Sequence, residues 1–270
     1  ENATTDTLIL VELENFKLIS SILGQRNGEQ ILRLVAQRIQ EKATLRFAEA
    51  ARLDGSCFAL FAPFHPDQVE DFIREIQSAV HEPLTIGEET LEIRSCAGYA
   101  RASGDAYDTD SLMRCADLAL AAAREERRSS IKRYDGAMAR QARRRVDLAN
   151  ELELALERQE FEMHYQPQID VATGKVLGAE ALVRWNHAER GLIAPDEFIG
   201  LAEHTGLIKP LTEWVIEAAL RLNQAWTREG CTLPIAVNLS ARNLHDESLL
   251  RKIRRMQSDC GVAPGLLELE

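Results

Sequence analysis

Three oxygen-bearing side chains stand at or near the ends of three apolar runs in the second half of the sequence. Glu180 lies within GAEALVRW, Asn238 within IAVNLS, and Glu270 closes LLELE. Two carboxylates and an amide oxygen are hard donors, the set that suits Mg²⁺ or Mn²⁺. No pair of histidines or cysteines is spaced to hold zinc instead. Each residue also has an ordinary explanation: a glutamate in a strand on a solvated face, an asparagine after a strand capping a turn or helix. His164, His187, His204 and His245 are scattered and read as structural or exposed.

The elements around these residues decide whether they can meet. Strand-like FEMHYQPQI and KVLGAEALVRW are followed by helical stretches at 195–203 and 211–227. A strand at 233–239, a helix at 249–258 and the start of a strand at 266–270 complete the run. Strands alternating with helices imply βα units around a parallel sheet or barrel, whose strands converge their C-terminal ends on one face. The first half reads differently. A buried strand at 7–13 and a helical stripe at 28–40 lead to two apolar runs, 45–53 and 56–62, separated by the tight-turn dipeptide Asp54-Gly55. A helix at 67–80, a strand at 91–100, an alanine-rich helix at 110–125 and a short strand at 131–134 follow. The expected fold class is α/β throughout, with an antiparallel hairpin at the centre of the first domain. Its boundaries are a domain over 1–135, a connecting helix over 136–150 and a second domain over 151–270. The connecting helix carries Arg140, Arg143, Arg144 and Arg145, read as a solvated charged face.

Composition bounds the partners. The chain has 270 residues, 45% hydrophobic and 28% charged, with a formal net charge of -11. That balance excludes a general nucleic-acid binder, which carries a basic footprint. A small anion held by local arginines or a metal remains compatible. Five cysteines, none in CxxC spacing, fit a reducing cytoplasmic setting rather than a disulfide framework. No apolar run is long enough for a membrane segment. Both termini read as cut ends, Glu1 not being Met and Glu270 falling inside a strand-like run.

Tyr165-Gln166-Pro167 followed by Glu180-Ala181-Leu182-Val183-Arg184-Trp185 resembles the opening of the EAL family of cyclic di-GMP phosphodiesterases. The similarity continues through GLIAPDEFIGLAEHTGLI, VNLSARNL and LLELE, over about 151–270. It implies the first half of a TIM-like (β/α) barrel. It also implies that Glu180, Asn238 and Glu270 are metal ligands, with Glu180 the motif glutamate of the catalytic site. Gln166, Leu182 and Arg184 then contact the substrate. The family hydrolyses one phosphodiester of cyclic di-GMP to give the linear dinucleotide. Its site also uses an Asp-Asp pair, a lysine and a further glutamate from later strands, expected beyond Glu270; residues 1–270 alone are expected to be inactive.

LVELENFK at 10–17, then Ala51-Arg52-Leu53-Asp54-Gly55-Ser56-Cys57-Phe58, and ADLALAAAREERRSSIKRYD at 116–135, resemble the GGDEF family of diguanylate cyclases. Where that family has Gly-Gly-Asp-Glu-Phe, this chain has Asp54-Gly55-Ser56-Cys57-Phe58. The turn is kept, but Ser56 and Cys57 do not hold Mg²⁺ as carboxylates do. Glu12 stands where the family has a metal-binding Asp. Ser20 and Glu29 stand where it places a guanine-binding Asn and Asp. Arg46 and Glu49 lie near, but out of register with, an inhibitory Arg-x-x-Asp site. The resemblance thus implies a domain without cyclase activity, regulatory or structural, with GTP binding as a lesser alternative. For the full-length protein it implies a homodimeric, metal-dependent cyclic di-GMP phosphodiesterase; the alternative is a receptor that binds cyclic di-GMP without cutting it.

Overall fold

The computed structural model describes residues 4–87, 89–126 and 129–270. Two compact units divide at 142/143. The first is built on a five-stranded sheet from β1 (Thr5–Leu13), β2 (Glu49–Arg52), β3 (Cys57–Phe64), β6 (Ser95–Arg101) and β7 (Ile131–Arg133), in the order β2-β3-β1-β6-β7. β1 runs antiparallel to both β3 and β6, and β7 lies parallel to β6. The Asp54-Gly55 hairpin joining β2 to β3 therefore occupies one flank, and β1 the middle.

Helices cover both faces. α1 (Phe16–Leu23), α2 (Gln25–Leu45) and α3 (Val69–His81) lie on one, α5 (Thr109–Glu125) on the other, after the short turn α4 (Ala102–Asp105). A small hairpin, β4 (Leu84–Ile86) with β5 (Glu89–Leu91), sits apart from the sheet. Alternation along β1 sends Ile9, Val11 and Leu13 toward α2 and α3, and Leu8 and Leu10 toward α5. Gly98 is where α5 comes closest: a Cβ there would lie 2.0 Å from the backbone nitrogen of Leu120. The apolar run 45–53 is not one strand. α2 continues to Leu45, Phe47 takes a left-handed φ of 54°, and only Glu49–Arg52 pairs with β3. The helix end bonds to itself, Arg46 N to Ala43 O and Ala48 N to Ala43 O, both at 3.0 Å, and consumes the residues that hydropathy assigns to a strand.

α6 (Gly136–Glu157) is one continuous helix across the division between units. Of its arginines, Arg143 pairs with Asp147 at 3.0 Å and Arg144 with Glu197 at 2.7 Å. The second unit contains β8 (Phe161–Ile169), β9 (Val176–His187), β10 (Gly191–Ile193), β11 (Ile235–Val237) and β12 (Leu267–Leu269). β9, β11 and β12 are neighbours and parallel; β8 and β10 pair antiparallel with β9 on its opposite edges. The parallel sheet is thus preceded by an antiparallel pair, an arrangement that strand periodicity cannot distinguish from a βα crossover. α7 (Pro195–Thr205), α8 (Ile208–Arg228) and α9 (Leu249–Cys260) supply the covering helices. Fully buried Trp185 packs with Phe161 and Phe198, and its indole donates to Glu160 at 2.9 Å. That anchor sets which face of β9 is core and which is free.

Candidate functional site

Because Ala181, Val183 and Trp185 of β9 turn toward the helices, Glu180, Leu182 and Arg184 share the other face. All three are half-buried. β8 adds residues in register on that face: Gln166 lies opposite Glu180, His164 opposite Leu182, and Glu162 opposite Arg184. Gln166 is exposed beside the glutamate rather than buried beneath it.

β11 brings the second oxygen donor. Ala236 is the register partner of Glu180, so Asn238 follows two residues later on the same face, just past the strand. Its Nδ2 donates to Glu180 Oε1 at 2.7 Å, which leaves the amide Oδ1 for another partner. β12 brings the third. Glu270 N donates to Val237 O at 3.0 Å, and Leu239 N donates to Glu270 O at 2.8 Å, which seats Glu270 beside Asn238 in the ladder. Arg184 directs Nη1 to the carbonyl of its neighbour Val183 at 2.9 Å. Leu182 and Asn238 line a largely apolar cleft of about 300 Å³ with Pro195, Ile199 and Val215.

An oxygen-only donor set on three adjacent parallel strands, with Glu180 inside β9 rather than at its end and Asn238 and Glu270 just past β11 and β12, fits a hard divalent cation, with water completing its octahedron. The set is partial: among the described residues no group of three His, Cys, Asp or Glu side chains is gathered for a metal. Neither His187 nor His164 joins it. His187 is buried and bonded to Glu151 at 2.7 Å, and His164 lies 2.9 Å from Glu162.

Residues that pattern reading passed over hold the loop after β11. Asn243 Oδ1 accepts from Ser240 N at 3.1 Å and from Thr212 Oγ1 at 3.2 Å, and both Thr212 and Asn243 are buried. Glu203, in the last turn of α7, accepts from the Ser240 hydroxyl, and its carbonyl accepts from Arg242. For Ser240, Arg242 and Asn243 the sequence signal was polar residues in a short stretch between strand and helix, which is also what an ordinary loop shows; Glu203 and Thr212 lie within helices.

In the first unit the turn falls one residue later than a two-residue Asp54-Gly55 hairpin: Cys57 N donates to Asp54 O at 2.9 Å and Leu53 N to Cys57 O at 3.0 Å, and Gly55, but not Asp54, takes a positive φ, 51°. Glu12 lies between Cys57 of β3 and Cys96 of β6 in the ladder, and its carboxylate is bonded to Arg124 of α5. Burial, with Glu12 second, pushes both thiols up to about 11. Glu29 faces Arg52 at 3.7 Å, and Arg46 pairs with Glu75 at 2.6 Å. The cleft beside Glu12, about 550 Å³, also takes in Glu14, Glu126 and Arg124. Among the described residues that line it, carboxylates outnumber cations.

Residues 1–130 match the family described as diguanylate cyclase, GGDEF domain, and residues 149–270 match the EAL domain family. Cyclic di-GMP phosphodiesterase NbdA of Pseudomonas aeruginosa is 32% identical over 266 residues, 97% of this chain and 34% of that protein. Cyclic di-GMP phosphodiesterase PdeR of Escherichia coli is 32% identical over 251 residues, 92% of this chain and 38% of that protein. The chain thus spans about a third of the length of the curated relatives it matches. A solved S helix–GGDEF–EAL structure of Vibrio cholerae LapD, 18% identical, shares the fold with a TM-score of 0.62, covering 98% of this chain and 62% of that one. The chain therefore belongs to the GGDEF–EAL proteins, carrying a GGDEF domain followed in tandem by EAL-domain sequence.

Proposed function

We propose that the protein containing this chain hydrolyses cyclic di-GMP to the linear dinucleotide through its EAL domain, and that its GGDEF domain makes none. The observation that carries the first half is the meeting of Glu180 and Asn238 at 2.7 Å, with Glu270 in the adjoining ladder position. The two named phosphodiesterases, each 32% identical, support the same chemistry.

In this reading Glu180, Asn238 and Glu270 hold Mg²⁺ or Mn²⁺. A bound divalent cation supplies charge stabilisation at phosphoryl oxygen and lowers the pKa of water. Arg184 swings from the Val183 carbonyl to a phosphate oxygen, where a charge-assisted bond is stronger than one to a neutral carbonyl. Gln166, exposed beside Glu180, donates or accepts at the ligand's polar edge, and Leu182 offers an apolar surface to the nucleotide.

For the GGDEF domain, the absence of carboxylates at Ser56 and Cys57 and the engagement of Glu12 by Arg124 support a regulatory or structural role. The full-length protein is read as a cytoplasmic homodimer. The test is chromatography of the full-length protein's products from cyclic di-GMP with Mg²⁺ or Mn²⁺. Appearance of linear dinucleotide supports hydrolysis; tight binding without product supports the receptor alternative.

A further inference from the structure

We propose that Glu203 is a positioning residue for Asn238, acting through Ser240. The loop that follows β11 has to hold Asn238 against Glu180 although Asn238 itself is solvent-exposed. An exposed side chain at a strand end is not held by packing, so its backbone must be held instead. Three sets of bonds do this. Leu239 N is tied to Glu270 O at 2.8 Å. Asn243 closes the turn on itself, its N–H donating to Ser240 O at 2.8 Å while its side-chain oxygen takes Ser240 N–H at 3.1 Å. Glu203 then fastens that turn to α7, through the Ser240 hydroxyl and through its own carbonyl to Arg242.

The three are not equivalent. The first is local to the sheet, and the second ties the loop to α8 through Thr212, whose hydroxyl donates to the same Asn243 oxygen at 3.2 Å. Glu203 comes from a different element, 37 residues from Ser240 in sequence, and it borders the same apolar cleft as Leu182 and Asn238. Its half-buried carboxylate has apolar Ile199, Ile208 and Leu211 for neighbours in that cleft wall. The bond it accepts from the Ser240 hydroxyl is charge-assisted and directional. The clamp fixes the angle at which the chain leaves β11, and with it the rotamer Asn238 needs to reach Glu180.

The functional consequence rests on the phosphodiesterase reading, but the clamp is tested without it. Hydrogen–deuterium exchange is measured on the full-length protein over 238–243, for wild type, Glu203→Ala, Glu203→Gln and Ser240→Ala. Glu203→Ala and Ser240→Ala should each raise exchange in that segment roughly tenfold, the effect of one lost charge-assisted bond, with α8 and β9 protected as in wild type. Glu203→Gln keeps an oxygen acceptor and should restore most of the protection. If Glu203→Ala unfolds the domain, Ser240→Ala alone decides. Unchanged exchange at 238–243 in Ser240→Ala overturns the proposal, as does equal loosening by Glu203→Gln and Glu203→Ala. In the hydrolysis assay, Glu203→Ala should raise the Mn²⁺ concentration for half-maximal rate more than it lowers kcat at saturating metal, with Glu203→Gln close to wild type. Local loosening in a protein that never cuts cyclic di-GMP would leave the clamp standing and remove the phosphodiesterase reading.

Discussion

The amide nitrogen of Asn238 sits 2.7 Å from a carboxylate oxygen of Glu180, on a neighbouring parallel strand. Strand register makes the contact, and the contact leaves one amide oxygen and one carboxylate oxygen for other partners. The geometry survives any change that keeps an acceptor at Glu180.

Glu180→Gln therefore isolates charge from shape. Its side-chain oxygen still accepts from Asn238, while the negative charge that would hold a divalent cation is gone. In the full-length protein, hydrolysis of cyclic di-GMP should fall by about 10³-fold, roughly 4 kcal/mol of barrier. The thermal unfolding midpoint should stay near that of wild type. Turnover at the wild-type rate, measured by chromatography, would remove Glu180 from the ligand set.

Arg184→Ala should weaken cyclic di-GMP binding roughly tenfold or more, since charge-assisted hydrogen bonds contribute about 1.5–3 kcal/mol. Little folding stability should be lost, because the guanidinium's bond is to the adjacent Val183 carbonyl. Calorimetry on the variant is the measurement. An unchanged Kd places the phosphates elsewhere on the sheet.

The GGDEF domain should yield no cyclic di-GMP from GTP and Mg²⁺. Its turn retains Asp54-Gly55 but carries Ser56 and Cys57 where the carboxylates belong, and Arg124 neutralises Glu12. Product at a rate above background, resolved by chromatography, would contradict this and show that Glu12 releases Arg124 to bind metal.

Cys57 and Cys96 should resist alkylation while the domain is folded. Burial, reinforced by Glu12, raises each thiol from 9.0 to about 11, so the thiolate is scarce at neutral pH. Near pH 8 both should react with iodoacetamide about 10²-fold more slowly than in the denatured chain. The native rate should climb as pH approaches 11. Mass-spectrometric mapping of a labelling time course reads each residue separately, and equal native and denatured rates would mean that neither thiol is shielded.

Gly98→Ala should cost about 3 kcal/mol, at the upper end for overpacking. A new Cβ would fall 2.0 Å from Leu120 N and 2.5 Å from Ala119 C, both backbone atoms that cannot rotate away. The helix has to lift off β6. A denaturant midpoint equal to wild type would show that α5 accommodates the methyl group.

Much of the second unit was legible from its residues because the relevant signals are local. Asn238 and Glu270 each close an apolar run and Glu180 lies inside one, and a strand's two-residue period already says which neighbours share their face. The helices at 195–203, 211–227 and 249–258 reappear as Pro195–Thr205, Ile208–Arg228 and Leu249–Cys260, extended at their ends by a few residues. In the first unit, Asp54-Gly55 marked the turn to within a residue, because Gly55 tolerates the positive φ of 51° found there.

What only the tertiary structure decided is pairing. Alternation is the same whether a strand's neighbour runs parallel or antiparallel, so the β8–β9 pair and the position of β1 at the sheet centre had no local signature. The run at 45–53 looked like a strand until α2 closed on Arg46 and Ala48, since a helix end is set by which carbonyls find donors. Asn243 read as loop polarity and Glu203 as the end of a helix, and they became the supports of Asn238 only once α7, α8 and the loop after β11 were brought together. Hydropathy reports which side chains leave water, whereas hydrogen-bond partners depend on which strands and helices become neighbours, and that is settled by the packing of the whole unit.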